Sequence, residues 1–252
     1  NRKRPPAALL DYVTHTTCPN VHAPDDRSVM ETLEALPYQI RSTRAFMGTQ
    51  IPYRIGPSQL GCRENPYGKA TAPNPDNARV CLSRIDPRQR GLFNAAWIVG
   101  YVAAFARGGV EAVALGAPTG PFGHIYRRTD FSQPYFDTLA QEAVYPSFHV
   151  LAGLASLSGK PLRELALSAD GTIEAIAATD GGNTILWIAN LTAEARRVAL
   201  PSAVRSVALL DETTFGLATT DADALQKLRA PAKDRLLDLG AYAVACCEIG
   251  AG

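Results

Sequence analysis

Asp11-Tyr12-Val13-Thr14-His15-Thr16-Thr17-Cys18-Pro19-Asn20-Val21-His22-Ala23-Pro24-Asp25 is a strand-like run that breaks into a dense polar loop. Pro52-Tyr53-Arg54-Ile55-Gly56-Pro57-Ser58-Gln59-Leu60-Gly61-Cys62-Arg63-Glu64-Asn65-Pro66 does the same. A helical segment separates the two, and a further strand–helix unit follows. That order predicts a parallel α/β barrel, in which the loops after the strands carry the chemistry. Here those loops hold two His, two Cys, a Ser, an Arg and a Glu, more reactive groups than packing requires.

Working outward, Leu9 to His15 reads as the first strand, and Asp25-Asp26-Arg27 signals a helix start. A helix is expected over 28–36, interrupted at Pro37 and resumed over 38–46. Pro52 to Ser58 is the second strand. Gly61 to Pro75 is a long polar loop, a feature that usually serves function or is disordered. Pro87 suits the first turn of a helix reaching Arg107, where Gly108-Gly109 ends it. Val110 to Leu115 is almost wholly apolar, as a parallel strand covered on both faces should be. Its exit loop runs from Gly116 to His124, and a last helix spans 147–158.

After Pro161 the texture changes to short strand candidates at 165–168, 173–179, 184–190, 197–200, 204–210 and 242–247. Turn signals such as Asp180-Gly181-Gly182-Asn183 separate them. This spacing predicts an antiparallel β-sandwich. The expected organisation is therefore part of a TIM-type barrel over 1–160 and a β-sandwich domain over 161–252. A barrel needs eight strand–helix units and three are visible. Two explanations stand, a chain that begins part-way through a barrel and a sheet completed by another chain, and the first is the expectation.

Of the 252 residues 46% are hydrophobic and 19% charged, which predicts a soluble globular protein, and the net charge of +1 argues against a nucleic-acid or anionic-membrane partner. Leu92 to Ala106 is the longest apolar stretch; it is shorter than the roughly 20 residues of a bilayer span and reads as a barrel helix buried along one face. The chain opens on a basic, Pro-containing segment without an apolar signal region. Five Cys without a repeated spacing or a CxxC pair argue against structural zinc and for reduced thiols in a cytoplasmic protein. A bridge between Cys18 and Cys62 stays open, and Cys246 and Cys247 are expected on opposite faces of one strand.

The run 11–26, the run Ile55-Gly56-Pro57-Ser58-Gln59-Leu60-Gly61-Cys62-Arg63-Glu64-Asn65-Pro66-Tyr67-Gly68 and Tyr145-Pro146-Ser147-Phe148-His149-Val150-Leu151 resemble the D-apionate lactonase family. The resemblance covers nearly the whole chain, through Leu239-Gly240-Ala241-Tyr242-Ala243-Val244. It implies a barrel related to retaining glycoside hydrolases with a sandwich after it. It also implies hydrolysis of the lactone of D-apionic acid during bacterial apiose degradation, with a small sugar-acid lactone as partner and no cofactor. On that mapping the three strands are the sixth, seventh and eighth, and the earlier ones lie upstream of Asn1. Glycosidases of that clan carry a nucleophilic Glu at the tip of strand seven. Here that tip is Gly56-Pro57-Ser58, and the next carboxylate is Glu64. A lactone ester needs no second carboxylate at a fixed separation.

Glu64, between Arg63 and Asn65 at a strand exit, is the candidate catalytic base; the plain alternative is a solvated Glu paired with Arg63. His15 at a strand end is the second catalytic candidate, and His22 in its loop is a hydrogen-bonding one. Arg54 and Arg63 suit a carboxylate or the lactone carbonyl, with an ion pair inside the barrel as the alternative for Arg54. Ser58 lacks the Gly-x-Ser-x-Gly elbow of an esterase nucleophile and is expected to bind substrate. Asn65 and His124 are expected to line the same mouth, whereas His149, Trp97 and Tyr101 read as core. No His spacing supports a metal site. Two other readings remain, a retaining glycosidase and a non-catalytic sugar-binding module.

Overall fold

Three short strands run parallel in the order β1 (Val13–His15), β2 (Tyr53–Ser58) and β3 (Ala112–Leu115). The computed structural model describes residues 4–68, 70–167, 170–200, 204–232 and 235–250. Each strand is followed by helix. Asp25 caps α1 (Asp26–Glu31) by accepting from the Ser28 N–H at 2.9 Å. A 3₁₀ turn over Thr32–Ala35 leads into α2 (Leu36–Met47), where Pro37 sits in the first turn and costs no hydrogen bond. A 3₁₀ turn over Pro87–Arg90, with Asp86 as its cap, precedes α3 (Leu92–Arg107), and α4 is Pro146–Ser156.

Alternation along the strands sets the two faces of this sheet. Tyr53 and Ile55 are buried against the helices, with Val13, Val113 and Leu115 packed beside them. Thr14, Arg54, Ala112 and Ala114 point the other way and are exposed. One irregularity breaks the alternation, because the pairing of β2 with β3 shifts between Ile55 and Ser58. A period of two would put Ser58 beside Arg54. The shift instead turns Ser58 to the helical side, fully buried.

The second half is a six-stranded, largely antiparallel sheet in the order β4 (Leu162–Arg163), β5 (Ile173–Asp180), β6 (Asn183–Asn190), β11 (Val244–Ile249), β8 (Val204–Leu210) and β9 (Ala230–Pro231). The β5–β6 hairpin closes at Asp180 and Asn183 around the predicted Gly181-Gly182 turn. β7 (Arg196–Ala199) and β10 (Leu236–Leu239) form a two-stranded antiparallel sheet, and two short helices, α5 (Phe215–Thr220) and α6 (Ala224–Lys227), follow β8. Leu200 and Leu239, with Val198 and Leu237, pack on Ile173, Ala175, Leu186, Ile188, Ala245 and Cys247 as one layer of core. The opposite face of the large sheet, through Trp187, Ala189, Ala208, Leu210, Val244 and Cys246, joins the core of the helices. Cys246 and Cys247 therefore do face opposite ways.

Five expectations change. β3 is not covered on both faces, since Ala112 and Ala114 are exposed, and Pro37 opens α2 rather than interrupting a helix. Residues 164–167 are not a strand; the edge strand is β4, and Ser168 lies outside the described residues. The first strand is shorter than expected, since Ala7–Leu9 is a 3₁₀ turn. α3 is not buried along one face alone: 12 of its 16 residues are buried, because the large sheet covers its outer side as the strands cover its inner one. That double cover explains a helix apolar nearly all round. Gly153 on α4 marks the joint, as a Cβ there would lie 2.1 Å from the Trp187 ring. No helix among the described residues is long and apolar enough to cross a membrane.

Candidate active site

The loops after β1 and β2 are held in place by a buried polar frame. The Asp86 carboxylate accepts from Arg88 Nε at 3.0 Å and Nη2 at 2.7 Å, from the Arg88 backbone at 2.9 Å and from Asn20 Nδ2 at 3.1 Å. Arg88 Nη1 continues to Asp26 at 3.0 Å. The Arg88 guanidinium is held above its ordinary value; burial opposes this, and the bonds and charges of Asp86 and Asp26 outweigh it. Asn20 also accepts the Leu82 N–H at 2.9 Å through its backbone, and Cys62 N–H donates to Ser83 O at 2.8 Å. The loop after β1 is thereby sewn to both ends of the long loop after β2.

Arg63 spans two strand exits. Its Nε donates to Gln59 Oε1 at 3.1 Å, just past β2, and its Nη2 to the Gly116 carbonyl at 3.0 Å, just past β3. Its guanidinium carbon lies 4.6 Å from the centre of the Phe122 ring, which is buried in the β3 exit loop. Glu64 follows directly. Its carboxylate is exposed and has no hydrogen bond or ion pair among the described residues, while its carbonyl accepts from the Cys62 thiol at 2.8 Å. Among the expected residues, these two are consecutive in the loop after β2, one an anchored cation and the other an exposed carboxylate without a partner among the described residues. His22 is exposed in the β1 exit loop and likewise uncommitted among the described residues.

The other expected residues are placed differently. His15, expected to be catalytic, shares the face of Val13; its Nε2 lies 2.6 Å from the Tyr53 hydroxyl, which donates to Thr43 of α2. Ser58, expected at the substrate, accepts from Tyr101 Oη at 2.8 Å and from the Thr17 N–H at 3.1 Å, with no exposure. Tyr101 therefore does more than pack, and burial pushes its hydroxyl up to about 12. Arg54 sits at the opposite, N-terminal end of β2, in an exposed ion pair with Glu111 at 2.9 Å. Asn65 spends its amide on its own loop, Oδ1 on Tyr67 N–H and Nδ2 on Ala70 O. His124 is buried with Nδ1 2.9 Å from Ser147 Oγ, and burial pulls its imidazole down to about 4. All five side chains are committed to partners within the protein, and Arg54 lies at the far end of its strand from the loops.

His149 is core, its Nε2 2.7 Å from Ala218 O across the joint to α5. All five cysteines are free thiols; the Cys18 thiol is pushed up to about 12, chiefly by burial, which leaves it inert. Among the described residues no group of three or more His, Cys, Asp or Glu side chains is arranged to hold a metal ion. Two residues at the mouth, Arg84 and Phe122, carry no sequence signal. Arg84 comes within 5.5 Å of the Phe122 ring from the far end of the long loop. Neither belongs to a motif, and only the folding of the loop brings them together.

Parallel strands each followed by helix, backed by an antiparallel β domain, are the arrangement of part of a TIM-type barrel with an added β-sandwich domain. An arabinose-bound GH51 α-L-arabinofuranosidase shares the fold over 96% of this chain and 37% of its own, with a TM-score of 0.56 at 13% identity. A bifunctional glucanase-xylanase from a metagenome library does so over 97% and 44%, with a TM-score of 0.54 at 9% identity. Residues 1–159 match the family described as D-apionate lactonase, TIM barrel domain, and residues 170–247 its C-terminal immunoglobulin-like domain. A D-apionate lactonase of Brucella anthropi is 39% identical over 200 residues, 79% of this chain and 31% of that protein. The chain belongs to the D-apionate lactonase family, and it spans about a third of the length of that relative.

Proposed function

We propose that this protein opens the lactone of a branched sugar acid, D-apionolactone, to give D-apionate in apiose catabolism. Family membership supports the substrate class. The observation that carries the chemistry is the uncommitted Glu64 carboxylate on the residue next to Arg63, whose guanidinium is anchored across two strand exits. In this reading Glu64 takes a proton from water as its oxygen attacks the lactone carbonyl. The free Nη1 of Arg63 faces the oxyanion that forms. Collapse breaks the ring C–O bond, and the ring oxygen receives the proton to become a hydroxyl. The new acid then ionises to a carboxylate. His22 is placed to hydrogen-bond the sugar hydroxyls, while His15, Ser58 and His124 shape the wall.

A retaining glycosidase is the weaker reading, since the tip of β2 offers Ser58 turned to α3 and no carboxylate. Residues 1–160 fit the places of barrel strands six to eight and 161–252 the sandwich. Five free thiols support a cytoplasmic setting, and the Brucella relative supports a bacterial one. The test is acid release from D-apionolactone by the full-length protein beside an aryl-glycoside panel. Lactone opening with inert glycosides supports the proposal, and the reverse outcome refutes it.

A further inference from the structure

We infer that Arg63 and Arg84, gathered on the ring of Phe122, form a binding site for the carboxylate of the ring-opened acid. The identity of the acid rests on the hydrolase reading; the anion site does not. Both guanidinium carbons lie within cation–π reach of one ring, at 4.6 and 5.5 Å from its centre, so the two charges are at most about 10 Å apart. Two positive charges this close raise the local attraction for an anion. Arg63 uses Nε and Nη2 to hold the strand exits, which leaves Nη1 without a partner among the described residues. Arg84 is exposed and makes no hydrogen bond or ion pair among the described residues.

The pair is held by backbone rather than by chance contact of long side chains. Cys62 N–H donates to Ser83 O at 2.8 Å, one residue before each arginine. Gly61 allows this approach, since a Cβ there would lie 2.2 Å from the Arg84 carbonyl and 3.2 Å from Phe122. Phe122 in turn belongs to the loop whose Gly116 carbonyl anchors Arg63. Two positive charges carried on a fixed backbone, with donors to spare, suit a carboxylate. The lactone is neutral and its product is an anion, so the site favours product over substrate and makes the acid an inhibitor.

Calorimetry of the full-length protein with sodium D-apionate, and with the uncharged polyol apiitol, tests this. Arg84→Met is the variant of choice, because the Arg84 side chain carries no hydrogen bond among the described residues that folding needs. The expected result is about a tenfold loss of apionate affinity with apiitol binding unchanged. Unchanged apionate affinity, an equal loss for both ligands, or no apionate binding by the wild type would overturn the site. Lactone opening is scored separately: an inactive protein that binds apionate through Arg84 keeps the site and loses the hydrolase reading. An active one whose apionate affinity ignores Arg84 does the opposite.

Discussion

Which way a side chain turns at the end of a strand decides whether it can act on a substrate. His15 and Ser58 stand where a barrel places its chemistry, yet both face the helices, one through Tyr53 and the other through Tyr101. Alternation from Val13 already puts His15 on the covered face. Ser58 was not legible that way, because the register shift at Gly56-Pro57 reverses its side. Ser58→Ala should therefore leave lactone opening within a few-fold of wild type. It should cost about 1–3 kcal/mol of stability, since the Thr17 N–H and the Tyr101 hydroxyl lose their acceptor. A nucleophilic Ser58 would show itself as loss of activity at unchanged stability.

His124 gives a pH signature at the same scale. Its imidazole is held at about 4 by burial, so between there and its unfolded value near 6.5 the unfolded chain binds the extra proton. Stability is then full above about pH 6.5 and lost as pH falls toward 4, on the order of 3 kcal/mol in all. His149, also lowered by burial, adds in the same direction. Urea midpoints at pH 7, 5.5 and 4.5 should fall in that order, less steeply in His124→Gln. A midpoint flat across this range would contradict the burial argument.

Among the elements, helices and buried strands were readable from the sequence because local patterns specify them. Asp25 caps α1 as its position suggests and the Gly181-Gly182 turn closes its hairpin, whereas Pro37 opens α2 instead of interrupting it. The short elements were not readable. α5 lacks apolar periodicity of its own, and β10 finds its partner β7 only across the chain that forms β8, α5, α6 and β9. The frame beneath the mouth was hidden for the same reason, since Asn20, Asp26, Asp86 and Arg88 meet only in space. Asp86 is wholly buried with its guanidinium partner. Asp86→Asn should leave Arg88 an incompletely compensated buried cation and cost about 3–5 kcal/mol, read as a lower urea midpoint. The exposed Arg54–Glu111 pair should contribute less than about 1 kcal/mol by the same measurement.

At the scale of the molecule, α3 lies between the parallel strands and the large antiparallel sheet, so one apolar core runs through both halves. The two halves should unfold in a single transition. Gly153→Leu, which drives a side chain into Trp187, should destabilise both together by about 1–3 kcal/mol. Two separated transitions would show that the joint is weaker than its packing implies. The composition change after Pro161 made the two halves legible, whereas their shared core was not, because it depends on which face of β6 carries Trp187. Arg63 and Glu64 were legible as strand-exit residues. Arg84 and Phe122 were not, since they sit far along the chain from Arg63 and meet it only once two loops fold back over the strand exits.

The central claim is that Glu64 works as the base for lactone opening. Acid release from D-apionolactone, followed at constant pH for the full-length protein and for Glu64→Gln, tests it most directly. The expected result is a loss of at least about 100-fold in kcat with the urea midpoint unchanged, because the exposed carboxylate holds no structural bond among the described residues. Near wild-type turnover by Glu64→Gln would contradict it.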